Sequence, residues 1–231
     1  MVRDESAGQL TLPIERAHEQ TLETFVAGPN EEIVAAMAQP GEAFTGIWLC
    51  GGEGTGKTHL LRALVLQGGH PERRFYIDAN GVRARDHLEL AASQGEIILI
   101  DEPSRFAGQH QSEEALMTIY ERVRAARGML IVADRLAARA TEFDIADLNS
   151  RLRSLMHFQM RPLQDGDKAD ILRGRAARRG YVLSDAVLDY WLARGPRDLR
   201  LLLTDLDRLD RASLVRHRHV TVPLLKEVLG Y

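Results

Sequence analysis

Hydrophobic and polar positions alternate along this chain in two textures. In the first, short apolar runs are separated by longer amphipathic stretches. Thr45–Cys50 (TGIWLC), Arg74–Asp78 (RFYID), Glu96–Asp101 (EIILID) and Gly128–Ala133 (GMLIVA) are too short for helices and rich in aliphatic and aromatic residues, which predicts strands. Thr58–Leu66, Asp86–Ala92 and Glu113–Ala126, lying among them, carry helical spacing. Continuous apolar strands separated by helices are what a parallel sheet covered on both faces requires. The second texture begins near Pro162. Asp167–Arg179, Asp185–Ala193 and Asp198–Ala212 have helical spacing with no comparable strand run between them. The pattern therefore predicts an α/β domain over residues 15–161 and a small helical domain over 162–231, preceded by an arm at 1–14. No internal repeat and no low-complexity segment interrupts it.

Composition narrows the classes of function. With 231 residues, 45% hydrophobic and 27% charged, the chain can bury one large core or two smaller ones. A formal net charge of -3 argues against a surface built throughout to hold phosphate backbones. The single cysteine, Cys50, allows neither an internal disulfide nor a cysteine-based metal site, and reads as a small buried residue at a strand end. The N-terminus lacks a secretory pattern, and runs such as IILI fall far short of the roughly 18 residues that span a bilayer. These features lead to an expectation of a cytoplasmic protein with no membrane partner.

The strongest chemical signal is Gly51–Thr58, GGEGTGKT, which fits the phosphate-loop pattern G-x-x-x-x-G-K-T. Its glycines let the backbone curl until N–H groups point at phosphate oxygens, the following helix N-terminus adds a favourable field, and Lys57 reaches the outer phosphates. Gly52, Glu53, Gly54, Thr55, Gly56, Lys57 and Thr58 are thus candidate nucleotide contacts, with Thr58 a magnesium ligand. The loop stands between an apolar strand and an amphipathic helix, as the mechanism requires. A second acidic site is needed to hold the metal. Asp101 ends the IILI strand and suits that role, and Glu102 is placed to polarise an attacking water.

These motifs, with others spread from Gln9 to Leu229, resemble the AAA+ ATPases and, within them, the DnaA-related family, which holds the initiator DnaA and shorter relatives of the Hda type. The likeness includes FVAGPNEEI (25–33), IVADR (131–135), DLNSRL (147–152), GPRDLRLLLTDLDRLDRAS (195–213) and VTVPLLKEVL (220–229). It implies a parallel five-stranded sheet between helices followed by a helical lid. It also implies an adenine pocket involving Phe25, Val26 and Asn30, with Asp134 at the sensor 1 position and Arg197 at the sensor 2 position in the lid; His59, by its place after Thr58, is a further candidate nucleotide contact with no assigned role. Arg151 falls at the arginine finger, a guanidinium offered to the nucleotide of a neighbouring subunit. ADP or ATP with magnesium is the implied cofactor, and a homo-oligomer fits the family. The basic cluster RGRAARR (173–179) reads as the solvated face of the first lid helix, with contact to DNA as the alternative.

QLTLPI (9–14) resembles the short motif by which replication proteins dock on the β sliding clamp. Gln9 would hydrogen-bond at the rim, Leu10 and Leu12 supply apolar area, and Pro13 holds the strand extended, giving a weak, reversible tether. DnaA continues past its lid into a helix-turn-helix domain, whereas this sequence ends at Tyr231, so sequence-specific duplex binding is not expected. The interval between the second and third strands, where initiators carry a longer segment that grips single strands, is compact. The resemblance then implies negative control of initiation: tethered to a clamp on DNA, the protein presents Arg151 to DnaA-bound ATP and stimulates its hydrolysis, with weak intrinsic ATPase activity at most. Two alternatives stand beside it. One is an autonomous ATPase of helicase-loader type acting on single-stranded DNA; the other is a binding adaptor in which Arg151 is inert.

Overall fold

A computed structural model describes residues 21–38, 43–67, 73–216 and 219–231. Gln9, Leu10, Leu12 and Pro13 of the expected clamp-binding arm lie outside the described residues. The elements run α1 (Glu31–Ala38), β1 (Thr45–Cys50), α2 (Lys57–Val65), β2 (Arg74–Asp78), α3 (Ala84–Gln94), β3 (Ile97–Asp101), α4 (His110–Ala125) and β4 (Met129–Asp134). They continue with α5 (Ala146–Arg153), β5 (Met156–Gln159), α6 (Asp165–Arg178), α7 (Asp185–Arg194), α8 (Leu199–Arg216) and α9 (Val222–Leu229). The five strands form one parallel sheet in the order β2-β3-β4-β1-β5.

Alternation along each strand explains why the runs are apolar throughout. Trp48, Ile98, Ile100, Leu130 and Val132 face one core, completed by Leu88 of α3, Ile119 of α4 and Leu148 of α5. Their neighbours Ile47, Leu49, Leu99, Ile131 and Ala133 face the other, against Ile33 and Met37 of α1 and Leu60, Leu61 and Leu64 of α2. Successive side chains point to opposite faces, so a strand covered on both sides has no polar position to spare. The buried Trp48 indole stays satisfied by donating to the Leu136 carbonyl at 3.0 Å.

The last four helices share a separate core. Leu202, Leu206 and Leu209 recur on one face of α8 and pack with Leu172, Leu188, Trp191 and Leu225. Helix α9 starts after Thr221, whose Oγ1 accepts the Leu224 N–H at 3.4 Å, and ends at Gly230 with φ of 79°. Among the described residues no helix is long and apolar enough to cross a membrane.

Register sets the carboxyl ends of the strands level. Cys50 pairs with Asp134, Ala133 with Asp101, and Asp101 with Asp78. The phosphate-loop sequence, the Asp101-Glu102 pair and Asp134 therefore emerge at one edge of the sheet, where open α/β folds place their ligands.

Candidate nucleotide site and a second cavity at the far edge

The loop after β1 needs its glycines for geometry: Gly54 and Gly56 have φ of 77° and 95°, in the left-handed region that favours residues without a Cβ. Lys57 then opens α2, and its buried ammonium donates back to the carbonyls of Gly51 at 2.6 Å and Gly52 at 2.8 Å. Burial holds this ammonium below its ordinary pKa, against the pull of Asp101, Asp134 and Glu102. The first N–H groups of α2 face the loop without helical partners, a favourable setting for an anion.

Thr58 Oγ1 donates to Asp101 Oδ2 at 2.6 Å, so the two candidate metal ligands are already in contact. Tyr76 of β2 donates its phenol to the same oxygen at 3.1 Å, a partner the sequence did not single out. Burial raises the Asp101 carboxyl above its ordinary pKa, opposed by these two hydrogen bonds. Glu102 sits at φ of 56° and accepts from Asn80 Nδ2 at 2.9 Å, Arg105 Nε at 3.1 Å and Arg135 Nε at 3.1 Å. The Asn80 hydrogen bond, with help from both arginines, lowers its pKa to about 2. Held this way, Glu102 is a clamped anion and a poor base until those donors let go.

Several expected contacts are placed differently. Asp134 spends its carboxylate on the backbone N–H groups of Ser104 at 3.0 Å, Arg135 at 2.7 Å and Leu136 at 3.3 Å, fastening the sheet edge instead of reaching outward. Asn30 is equally occupied: its amide donates to Ala27 O at 3.2 Å and Arg161 O at 3.1 Å and accepts from Arg161 N at 2.8 Å. It staples the segment before β1 to the backbone leading into the lid. Phe25 meets His59 edge-on, ring centroids 5.1 Å apart, and Val26 follows it, yet neither Phe25, Val26 nor Asn30 lines the cavity described next.

That cavity, about 340 Å³, lies between the loop and the lid. Gly54, Gly56, Lys57, Thr58, His59 and Asp101 form one wall, and Arg175, Leu199, Arg200 and Leu203 the other. Leu199 and Leu203, one turn apart on α8, give it an apolar strip suited to a flat ring. His59 Nε2 is buried and has no hydrogen-bond partner among the described residues, and burial lowers the pKa of this imidazole to about 4, so the ring is neutral at pH 7. Arg197 is absent from the lining. It stands two residues ahead of α8, and its side chain is 76% exposed and pairs with Asp165 at 2.9 Å, whereas Arg200 in the first turn of α8 lines the cavity. Arg135, Arg175 and Arg200 are cavity cations that sequence reasoning missed. Within RGRAARR, Arg173 pairs with Asp170 and Asp185 at 2.7 and 2.9 Å, as a solvated face would, but Arg175 turns into the cavity.

Arg151 stands elsewhere. It lies in the last turn of α5, 3.4 Å from Asp147, with its guanidinium 5.7 Å from the centre of the Tyr120 ring. It lines a second cavity, of about 630 Å³, together with Phe44, Gly46, Tyr120, Arg124 and Met156. Gly46 and Met156 are at the starts of β1 and β5. Arg151 therefore serves the amino edge of the sheet, roughly 15–20 Å from its own phosphate loop at about 3.3 Å per strand residue.

Two family models cover nearly all of the chain: the bacterial DnaA ATPase domain matches residues 17–160 and the Hda lid domain residues 165–229. The chain belongs to the DnaA-related AAA+ family. Solved structures agree in fold. Domain III of the Thermotoga maritima replication initiation protein DnaA superposes with a TM-score of 0.76 at 20% identity, over 92% of this chain and 96% of that one. AMPPCP-bound DnaA from Aquifex aeolicus gives 0.66 at 18% identity, over 86% and 66%. The Thermotoga maritima RuvB Holliday junction branch migration motor gives 0.67 at 15%, over 93% and 72%. This member of the DnaA-related family thus joins a DnaA-type sheet domain to a lid of Hda type.

Proposed function

We propose that this DnaA-related protein is a cytoplasmic negative regulator of replication initiation, which promotes hydrolysis of ATP held by DnaA. The observation that carries the reading is the separation of Arg151 from its own phosphate loop. A guanidinium at the amino edge of the sheet, beside an open cavity, is of no use to the nucleotide of its own chain and is available to that of a neighbour. There its planar fork would stabilise charge developing on the departing phosphoryl group. The clamped state of Glu102 supports the same division, in which this chain contributes little hydrolysis of its own. Tethering to the β sliding clamp through Gln9, Leu10, Leu12 and Pro13 would concentrate the protein on newly replicated DNA.

An adenine nucleotide suits the cavity between loop and lid, and a DnaA of the same fold is described as AMPPCP-bound. Lys57 and the first amides of α2 would hold its phosphates, Leu199 and Leu203 would flank the base, and Thr58 and Asp101 would supply oxygen ligands to magnesium. Among the described residues no cluster of three or more His, Cys, Asp or Glu could hold a metal. Magnesium, which keeps waters and phosphate oxygens in its shell, needs only such a sparse protein contribution. The nucleotide's part is to offer its phosphates as the bridge between loop and lid.

The test is phosphate release from DnaA preloaded with labelled ATP, in the presence of clamp-loaded DNA. Wild type is expected to accelerate release, and both Arg151→Ala and a Gln9→Ala, Leu12→Ala double variant to lose the acceleration while still binding nucleotide. No acceleration by wild type, together with DNA-stimulated turnover of the protein's own ATP, would favour the loader-type ATPase instead. Acceleration that survives Arg151→Ala would make the protein an adaptor.

A further inference from the structure

Glu53 brings a carboxylate into a loop otherwise shaped to receive anions. It stands between Gly52 and the left-handed Gly54, lines the same cavity as Lys57 and Thr58, and takes Arg200 Nη2 at 2.7 Å. Arg200 belongs to the first turn of α8 and is oriented from behind by Asp198, which accepts its backbone N–H at 2.7 Å and its guanidinium at 3.3 Å. The pair joins two separately packed bodies, since the loop is rooted in the sheet cores and α8 in the lid core. Near the phosphate loop the lid cation thus already has a counter-ion, and that counter-ion is part of the loop.

We propose that Glu53 and Arg200 form a latch between phosphate loop and lid, in which Glu53 takes the counter-ion position of an outermost phosphate. This rests on the nucleotide-binding reading above and deepens it. A nucleoside diphosphate fits with the latch closed. A triphosphate brings a further anion to the outer end of the loop, where it meets the Glu53 carboxylate and gains Arg200 only by breaking the pair. The site therefore discriminates against the third phosphate, and lid closure is coupled to phosphate count. Both partners are more than half exposed, so the pair is of the modest strength usual for exposed ion pairs. That corresponds to a preference of about five-fold in affinity.

The experiment compares ADP and ATP binding, each with magnesium, by calorimetry on wild type and Glu53→Gln. A spin-label distance between Leu66 on the sheet domain and Val215 on the lid, both exposed, reports closure in wild type, Glu53→Gln and Arg200→Ala. The latch predicts that Glu53→Gln moves the ADP-to-ATP affinity ratio about five-fold toward ATP. It also predicts a distance distribution that is narrow for ADP-bound wild type and broad for both variants. An unchanged ratio with an unchanged distance in Glu53→Gln overturns it. If wild type binds neither nucleotide, the nucleotide reading fails as well; if wild type binds and the ratio stays put, the latch fails alone.

Discussion

At the carboxyl edge of the sheet Lys57, Asp101, Glu102 and Asp134 each make two or three polar contacts between 2.6 and 3.3 Å, three of the four in buried positions. At the amino edge Arg151 has a looser pair with Asp147 at 3.4 Å and the face of Tyr120, next to an open cavity. The contrast is one of preorganisation against availability. Groups fixed by several buried hydrogen bonds hold a ligand in a set geometry, because rearranging them would strand polar atoms away from water. A half-exposed pair is worth about 0–1 kcal/mol and can be surrendered to a better anion brought by another molecule.

The contrast breaks most sharply at Arg151. Arg151→Ala should cut stimulation of DnaA-bound ATP hydrolysis by about 10³-fold, measured as single-turnover phosphate release, and leave the protein's own nucleotide affinity within about two-fold. Arg151→Lys should recover little, since an ammonium lacks the planar fork. Next in size, Lys57→Ala removes a charged donor from the phosphate loop and should weaken nucleotide binding by about 30- to 100-fold in a calorimetric titration. If either variant damages both functions equally, the two edges are one unit and there is no division of labour between them.

A pH titration sharpens the description of the carboxyl edge. His59, with its pKa lowered from 6.5 to about 4 by burial, is neutral in the folded state where the unfolded chain would be protonated. The unfolded state therefore binds more protons between those values, so this contribution is fully present above pH 6.5 and is lost as pH falls toward 4. Discounted for partial exposure, the swing is about 2 kcal/mol. Urea unfolding of wild type should show that loss across the window, and His59→Gln should flatten it. An equal slope in both proteins would mean that the ring is more solvated than its packing against Phe25 implies.

How much of this was legible in the sequence follows from which constraints are local. Three strands, β1, β3 and β4, announced themselves because each is buried on both faces, and the half-buried edge strand β2 through its Phe75-Tyr76-Ile77 run. The fifth, MHFQ, has three of four residues exposed and carries no apolar run, so only the family likeness implied it. Helix α5 escaped for a similar reason, as Leu148 and Leu152 alone mark its buried face. The phosphate loop was legible because left-handed turns demand glycine at fixed spacing, and Asp101 because it ends an apolar run. Tyr76 and Asn80 were not, since their proximity to Asp101 and Glu102 depends on the register of β2 against β3. Nor could the pattern show that Asp134 and Asn30, which the family likeness placed at sensor 1 and in the adenine pocket, would be consumed by backbone groups.

The same limit governs the smallest expected effect, which concerns the two lid arginines. Arg197 and Arg200 are three residues apart, and which one faces the phosphates depends on how α8 docks, a tertiary fact that motif likeness cannot supply. With Arg197 paired to Asp165 outside the cavity and 76% exposed, Arg197→Ala should change nucleotide affinity by less than about two-fold. Its exposed pair contributes little, and no cavity wall is altered by its loss. Arg200→Ala should weaken binding more in the same titration, because it removes a lid cation that lines the cavity and reaches Glu53 of the phosphate loop. The reverse order, with Arg197 dominant, would mean that nucleotide binding breaks the Arg197–Asp165 pair and re-docks the start of α8. The lid seen against Glu53 would then be a resting pose and not the binding one.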